Sequence, residues 1–269
     1  MATNKTKESL EKSFEFLETF SEKYKIDFKR FLFSLDTLVK ECDSLEGKRV
    51  LDIGSGVGLM SVALKNLGCD VVVGLEKFIF PSEEENFFSV SEFSKLEEIW
   101  RANNIEVVKS DAIKERLPFE DGSFDIVICD AMIEHLDESP KGLFEEVNRV
   151  LGQGGVFFVS TPNLANLLKR LRFSVGRSPH WDLKDFYESG DNFVGHRREF
   201  TVKEVCSMLK WSSFNILASK TKNIFFEPKR LFSKKKAIAQ ICSLLSFPFP
   251  SMREMIYVLS TKSKISNSK

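Results

Sequence analysis

The spacing of apolar positions divides the chain into two regions. In the first region, large apolar side chains recur every three to four positions, as at Leu10, Phe14 and Leu17, and this spacing predicts helices. In the second region, short apolar runs rich in β-branched residues alternate with helical patterns. We therefore predict an N-terminal helical cap over residues 1–46 and an α/β domain over residues 47–269.

The α/β region contains seven candidate strands. They lie at 48–53, 70–75, 105–109, 124–129, 156–160, 214–218 and 255–259. Strands that alternate with helices in this way form a parallel sheet whose two faces are both covered. Trp100 and Trp211 fall on helical patterns between the strands, and we predict that both are buried.

A glycine-rich turn follows the first predicted strand. Gly54, Gly56 and Gly58 come directly after this strand, and Glu76 ends the next one. Glycine permits a sharp turn and the close approach of the backbone to a ligand. A carboxylate at the end of the second strand can accept hydrogen bonds from the hydroxyls of a ribose. Together these features predict a site for a cofactor that contains adenosine.

Five sequence blocks resemble those of class I S-adenosylmethionine-dependent methyltransferases. They are LDIGSGVG from residue 51, the acid Glu76, VVKSDA from 107, LPFEDGSFDIVICDAMIEHLDE from 117 and RVLGQGGVFFVSTPN from 149. The resemblance implies S-adenosylmethionine as cofactor, with S-adenosylhomocysteine as product. It also implies a Rossmann-like, seven-stranded, mostly parallel sheet with helices on both faces. The last strand would be antiparallel, and a substrate lid at about 162–200 would follow the fifth strand.

The same resemblance implies which residues bind the cofactor. Glu76 would accept the ribose hydroxyls, Asp111 would face the adenine amino group, and Asp130 would lie beside the methionine moiety. The full set is Asp52, Gly54, Ser55, Gly56, Gly58, Glu76, Lys77, Asp111, Ala112, Asp130 and Ala131.

Glu134 and His135 form the candidate acid–base pair. They follow the fourth strand, where the resemblance places the reaction centre, and histidine titrates near neutral pH. The alternative is that the pair only shapes the loop. Some quinone-ring O-methyltransferases have a similar E-x-x-E-H stretch that suits a metal. Ala131 replaces the first acid of that stretch here, so we predict no metal site.

The segment GHRREFT resembles a motif of methyltransferases that are associated with sugars and cell-surface glycans. His196 and Arg197 are therefore candidate acceptor-binding residues. Arg197 and the adjacent Arg198 can bind a phosphate or a carboxylate through two parallel hydrogen bonds. The alternative is a surface loop in which these arginines pair with Glu199 or Asp191.

The charge balance changes this picture only locally. The chain has 39 basic and 39 acidic residues, which excludes a protein that binds nucleic acid through an overall positive charge. The basic and then apolar stretch at 229–252 predicts peripheral contact with an anionic membrane, and the alternative is packing against the sheet or a partner subunit. We find no signal peptide, no apolar run that would span a membrane and no C-x-x-C pair, which predicts a cytoplasmic protein.

These features predict a methyltransferase that acts on oxygen. The acceptor would be a small molecule, a glycan or a lipid-linked compound, and a lipid-linked acceptor is the favoured one. Three alternatives remain open: a quinone or prenylated-ring methyltransferase, an NAD(P)-dependent oxidoreductase, and a regulatory or scaffold protein that binds the cofactor without turnover. Gly58 comes one position too early for a dinucleotide fingerprint, which disfavours the oxidoreductase.

Overall fold

The computed structural model describes residues 4–77, 90–180, 182–190, 193, 195–224 and 234–263. Within these residues, seven strands form one sheet in the order β3-β2-β1-β4-β5-β7-β6. Strand β7 is antiparallel to β5 and to β6, and the other neighbouring strands are parallel. The strands are β1 Arg49–Ile53, β2 Val71–Glu76, β3 Glu106–Lys109, β4 Phe124–Asp130, β5 Leu151–Pro162, β6 Phe214–Lys222 and β7 Met255–Lys262. The predicted fold class is confirmed.

Helices cover the two faces of the sheet. They are α1 Asn4–Phe16, α2 Glu18–Ser21, α3 Phe28–Glu41, α4 Leu59–Asn66, α5 Val90–Ala102, α6 Lys141–Val150, α7 Leu167–Ser174, α8 Leu183–Ser189, α9 Val202–Trp211 and α10 Lys234–Leu245. Short 3-10 turns occupy Glu22–Asp27, Ile133–His135 and Pro250–Met252. None of the helices in the described part of the chain has the length and hydropathy that a membrane crossing requires.

The central strands are buried on both sides, which explains why their sequences are almost continuously apolar. Val50 of β1 packs into a core that contains residues of α1, α3, α4 and α5. The next residue, Leu51, points to the opposite face and joins a core that contains residues of α6 and α9. Successive side chains of a strand alternate between faces, so each central strand contributes to both cores.

The N-terminal helices share the first of these cores with the sheet. Leu10 of α1 and Leu35 of α3 are completely buried there. The hydroxyl of Ser9 donates a hydrogen bond to the carbonyl oxygen of Ala63 in α4 at 2.6 Å. The predicted helical region is interrupted near Glu18, which has a positive φ of 41°. This segment lies over the carboxyl ends of the strands.

One of the two tryptophan predictions is wrong. Trp100 is buried as predicted, whereas Trp211 is 81% exposed at the end of α9. Leu209 of the same helix is fully buried. Because each helical residue advances by about 100°, a side chain two positions further on lies on the opposite face.

Candidate active site

The glycine turn after β1 has a shape that only glycine adopts easily. Gly54, Gly56 and Gly58 have φ values of 72°, 55° and 86°. A Cβ atom on Gly58 would lie 2.8 Å from Nε1 of Trp100, and one on Gly54 would lie 2.8 Å from Cγ of Met132. Side chains are therefore excluded at both positions by conformation and by space. The backbone N–H groups of this turn lie at the carboxyl ends of the strands, where open α/β sheets bind ligands.

Glu76, at the end of β2, adjoins the glycine turn. Its carboxylate accepts hydrogen bonds from the backbone N–H of Gly56 at 2.9 Å and from that of Lys77 at 3.0 Å. The predicted ribose-binding acid thus also fixes the turn. Two carboxylate oxygens beside a turn that has glycine at every second position provide the acceptors and the space that the ribose of an adenosine-containing cofactor requires.

Asp111 lies just after β3, the strand that pairs with β2 and so lies beside Glu76. Its carboxylate pairs with Nζ of Lys77 at 2.9 Å and accepts a hydrogen bond from the N–H of Ile113 at 3.0 Å. Partial burial raises the pKa of Asp111, but the hydrogen bonds from Lys77 and the backbone outweigh this effect and hold the pKa below its usual range. Lys77 and Asp111, both predicted cofactor residues, are therefore brought together. Ala112 is buried beside them.

Asp52 lies beneath the glycine turn in β1. Its carboxylate accepts a hydrogen bond from Oγ of Ser61 at 2.7 Å, and burial raises its pKa to about 7. Ser55 is close to this group along the chain, and its hydroxyl is buried. Asp52 therefore ties the first turn of α4, which follows the glycine turn, to β1 from inside the protein.

The raised pKa of Asp52 makes stability depend on pH. Between its ordinary value of 3.8 and about 7, the folded protein binds a proton that the unfolded chain does not. The free energy of unfolding therefore falls as pH rises through this window, by at most about 1.4 kcal/mol per pH unit from this group. We expect Asp52→Asn to remove this contribution, so that urea unfolding shows a shallower decline with pH. Asp70→Asn, at an exposed carboxylate, is the control, and an unchanged slope in Asp52→Asn would contradict the assignment.

Asp130 ends β4 and forms a buried ion pair that the sequence did not suggest. One carboxylate oxygen lies 2.8 Å from Nη1 of Arg30 in α3, and the other accepts hydrogen bonds from the hydroxyls of Ser34 and Ser160. Arg30 is only 8% exposed. The pair ties the N-terminal helices to the predicted methionine end of the cofactor site. Ala131 follows with a positive φ of 56°, which turns the chain away from the sheet.

Glu134 is the most deeply buried acid near the predicted reaction centre. It is 1% exposed, and its carboxylate accepts a hydrogen bond from Oγ1 of Thr161 at 3.0 Å. Burial raises its pKa to about 7. Its backbone carbonyl oxygen accepts hydrogen bonds from the N–H groups of Arg197 and Arg198 at 2.8 and 3.2 Å. These bonds hold the segment that begins at residue 195 against the turn after β4.

This backbone contact brings His135 and His196 together. Their rings are 4.9 Å apart in an edge-to-face arrangement. Nδ1 of His135 lies 3.2 Å from the carbonyl oxygen of Gly195, and Nδ1 of His196 lies 2.7 Å from Glu199. Burial, His135 and Lys169 lower the pKa of His196 to about 4, so this imidazole is neutral and its contact with Glu199 is a hydrogen bond rather than an ion pair.

The two histidines and Glu134 also have the composition of a metal site. Each offers one ligand atom, and the three atoms lie within 4.8 Å of one another. The sequence could not show this grouping, because His196 is far from the other two along the chain. The cluster has the groups needed for proton transfer and also those needed to bind a metal ion.

Arg197 and Arg198 point away from His196. Arg197 contacts Asp137, and Nη2 of Arg198 lies 3.4 Å from Glu204. Both arginines line a separate groove next to α9. Of the partners that the surface-loop alternative named, Glu199 contacts His196 instead, and Asp191 lies outside the described residues.

A cavity of about 520 Å³ opens beside this cluster. Its walls come from the N-terminal segment, the turn after β4, α7 and α10, and most of the exposed wall area is apolar. Glu134, His135 and His196 lie on one wall, together with Arg30 and Ala131. Ala131, a predicted cofactor position, and the acid–base candidates thus face the same cavity, which can hold a small molecule.

Part of the chain matches a known domain family and curated proteins. The family model described as a methyltransferase domain matches residues 51–159. The ubiquinone biosynthesis O-methyltransferase of Burkholderia vietnamiensis (strain G4 / LMG 22486) is 37% identical over 131 residues, which cover 49% of this chain and 50% of that protein. The mitochondrial ubiquinone biosynthesis O-methyltransferase of Dictyostelium discoideum is 33% identical over 123 residues, which cover 44% of this chain and 36% of that protein. The chain thus spans half or less of the length of these relatives.

Solved structures share the fold at low sequence identity. An S-adenosylmethionine-dependent methyltransferase from Mesorhizobium loti has a TM-score of 0.55 and 19% identity, with 85% of this chain and 97% of that chain covered. A methyltransferase of the same type from Archaeoglobus fulgidus has a TM-score of 0.54 and 18% identity, with 87% and 94% covered. Residues 51–159 thus match the methyltransferase domain model, and the chain has the fold of the class I S-adenosylmethionine-dependent methyltransferases.

Proposed function

We propose that this protein transfers a methyl group from S-adenosylmethionine to a hydroxyl oxygen on an apolar, ring-containing acceptor of the quinol type. The observation that supports this proposal is the largely apolar cavity that has His135 on its wall and adjoins the end of β4. The relatives named as ubiquinone biosynthesis O-methyltransferases favour the quinone-ring alternative over the glycan and lipid-linked acceptors that the sequence first suggested.

The residues around the glycine turn fit the proposed cofactor. Glu76 offers carboxylate oxygens to the ribose, and the glycine turn allows a close approach of the cofactor because Gly54 and Gly58 have no Cβ atoms. Asp111 is held by Lys77 at the adenine end. When bound, S-adenosylmethionine supplies a methyl group on a positively charged sulfur. The chain has to hold the acceptor in line with that group and to exclude water.

His135 is placed to accept the proton of the acceptor hydroxyl. With Nδ1–H donating to the carbonyl oxygen of Gly195, Nε2 carries the lone pair of the neutral ring. Glu134 holds the turn in position through Thr161 and through the backbone of the 195–198 segment. His135 is therefore the proposed base, and Glu134 is a positioning residue.

The acceptor assignment is tested with labelled S-adenosylmethionine. The purified protein is incubated with a dihydroxylated ring that carries a short prenyl chain and, in parallel, with sugar phosphates. We expect label on a ring oxygen only. Label on the sugar phosphates and none on the ring would overturn the proposed acceptor and return the glycan alternative.

Replacing His135 with alanine is expected to lower kcat by about 10²- to 10⁴-fold, the usual contribution of a positioned acid–base group. The loss should shrink as pH rises, because an ionised acceptor hydroxyl needs no base. Binding of S-adenosylhomocysteine should not change. His180→Ala removes an exposed histidine and is the matched control. An equal loss at all pH values would contradict the role as base.

Chelation separates proton transfer from metal binding. Ala131 stands where the E-x-x-E-H stretch of some quinone-ring O-methyltransferases has its first acid, so we expect activity to persist after treatment with EDTA. Loss of activity that Mg²⁺ restores would instead assign Glu134, His135 and His196 to a metal ion.

A further inference from the structure

Helix α10 has its polar face inside and its apolar face outside. Gln240, Ser243 and Ser246 are buried on the inner face of this helix and the residue after it. Ile238, Ile241, Leu244 and Leu245 are each more than half exposed on the outer face. A helix that packs on a protein core normally has the reverse arrangement. The outer face of α10 is therefore adapted to apolar surroundings.

Hydrogen bonds fix this orientation of α10. Oγ of Ser243 donates to the carboxylate of Glu254 at 2.5 Å. The side-chain amide of Asn223 donates to the carbonyl oxygen of Ser243 at 2.6 Å and to Oγ of Ser246 at 2.9 Å. A rotation that buried the apolar face would break these bonds and leave polar groups without partners in the interior, which is costly. The apolar face therefore remains outside.

The apolar exposure continues on both sides of α10. Phe247 and Phe249 follow the helix and are more than half exposed. Helix α7 packs beside α10 and exposes Leu171, Phe173 and Val175. Both helices line the acceptor cavity and pack against each other, so they form adjacent parts of its wall. We name these nine exposed side chains the α7–α10 surface: Leu171, Phe173, Val175, Ile238, Ile241, Leu244, Leu245, Phe247 and Phe249.

The segments that carry the α7–α10 surface have charges of one sign. In the part of the chain that the structure describes, residues 164–180 and 234–253 contain eight basic and no acidic residues, and one of the eight, Lys169, lines the cavity. Apolar side chains flanked by positive charge are typical of protein surfaces that bind anionic lipid headgroups and the acyl region beneath them. A second copy of this chain fits poorly, because it would place like charges opposite each other.

We propose that the α7–α10 surface lies on an anionic lipid bilayer and that the acceptor enters the cavity from the bilayer, between α7 and α10. The entry route rests on the proposed function, whereas the membrane contact does not. On the inner side, Leu168 and Lys169 of α7 and Cys242 and Ser243 of α10 line the cavity. A single layer of two helices thus separates the lipid from the acceptor site. An acceptor with an apolar chain can reach His135 without leaving the apolar phase.

The membrane contact is tested by flotation of the full chain with vesicles. Vesicles of phosphatidylcholine with phosphatidylglycerol should bind the protein at low salt, and phosphatidylcholine alone should bind it weakly. We expect Ile241→Gln/Leu244→Gln to weaken binding to the vesicles about tenfold or more, since the lipid contact loses two aliphatic side chains. Both side chains point away from the cavity and are exposed, so the fold is retained. Trp211→Gln, at an exposed apolar residue on α9, is the matched control and should bind like the unchanged protein.

The same variants separate this proposal from the proposed function. Ile241→Gln/Leu244→Gln should retain S-adenosylhomocysteine binding and the methylation of a soluble, short-chain acceptor, but should lose activity on an acceptor embedded in anionic vesicles. Failure of the unchanged protein to bind anionic vesicles would overturn the proposal and leave the methyltransferase activity in place. Dimerisation in sedimentation analysis that Ile241→Gln/Leu244→Gln abolishes, without vesicle binding, would overturn it in favour of a second copy.

Discussion

Replacing Glu76 with alanine is expected to weaken the binding of S-adenosylhomocysteine at least about tenfold, as measured by calorimetry. The carboxylate is the proposed acceptor for the ribose hydroxyls, and hydrogen bonds to charged groups contribute about 1.5–3 kcal/mol. It also holds the N–H of Gly56 at 2.9 Å. Loss of the side chain therefore removes a ligand contact and loosens the turn. The magnitude should exceed that of any other single carboxylate replacement at the site.

Two variants and one ligand sharpen this experiment. Glu76→Gln keeps one oxygen acceptor and should bind better than Glu76→Ala. Glu106→Ala removes an exposed acid at the far end of the neighbouring strand and should bind normally. NAD should not bind to any form. Unchanged affinity in Glu76→Ala would remove the ribose assignment, and tight NAD binding in place of S-adenosylhomocysteine would return the oxidoreductase alternative.

Arg30→Met is expected to lower the free energy of unfolding by about 3–5 kcal/mol, because it leaves the buried carboxylate of Asp130 without its cation. The two groups lie 2.8 Å apart, and their side chains are almost completely buried. Urea denaturation measures this loss. A second substitution, Asp130→Asn, in the Arg30→Met background should restore part of the stability, since the uncompensated charge is then removed.

The control for this buried pair is a solvent-exposed ion pair of the same protein. Lys7 and Glu11 lie 3.3 Å apart on the exposed face of α1. Lys7→Met should change stability by no more than about 1 kcal/mol. If Arg30→Met costs no more than Lys7→Met, the buried pair does not hold the N-terminal helices over the site.

The sequence predicts the cofactor side of the site well because the signals there are local. The first strand, which leads into the glycine turn, lies beside the second strand, which ends in the acid. Contact between the turn and the acid therefore follows from the topology of the parallel sheet. Gly56 and Glu76 are indeed hydrogen-bonded. The seven strands and the antiparallel last strand also agree with the prediction.

The acceptor side could not be predicted because it depends on contacts between distant segments. His196 reaches His135 through backbone hydrogen bonds to Glu134, and backbone bonds leave no pattern in side-chain type. Arg30 lies on an amphipathic helix, where a single arginine resembles a surface residue until its partner Asp130 is known. Periodicity shows that α10 has two faces but does not show that the polar one is inside.

The position of β7 in the sheet determines when the protein can complete its fold. This last strand of the described chain is inserted between β5 and β6, and it pairs Ile256 with Thr161. Such long-range pairing costs loop-closure entropy and slows folding. During synthesis, β5 and β6 therefore present open edges, which are templates for unwanted strand pairing, until β7 has been made. Met252, Glu254 and Met255 border the cavity at the start of this strand, so a newly made chain gains its acceptor site only after β7 has been made.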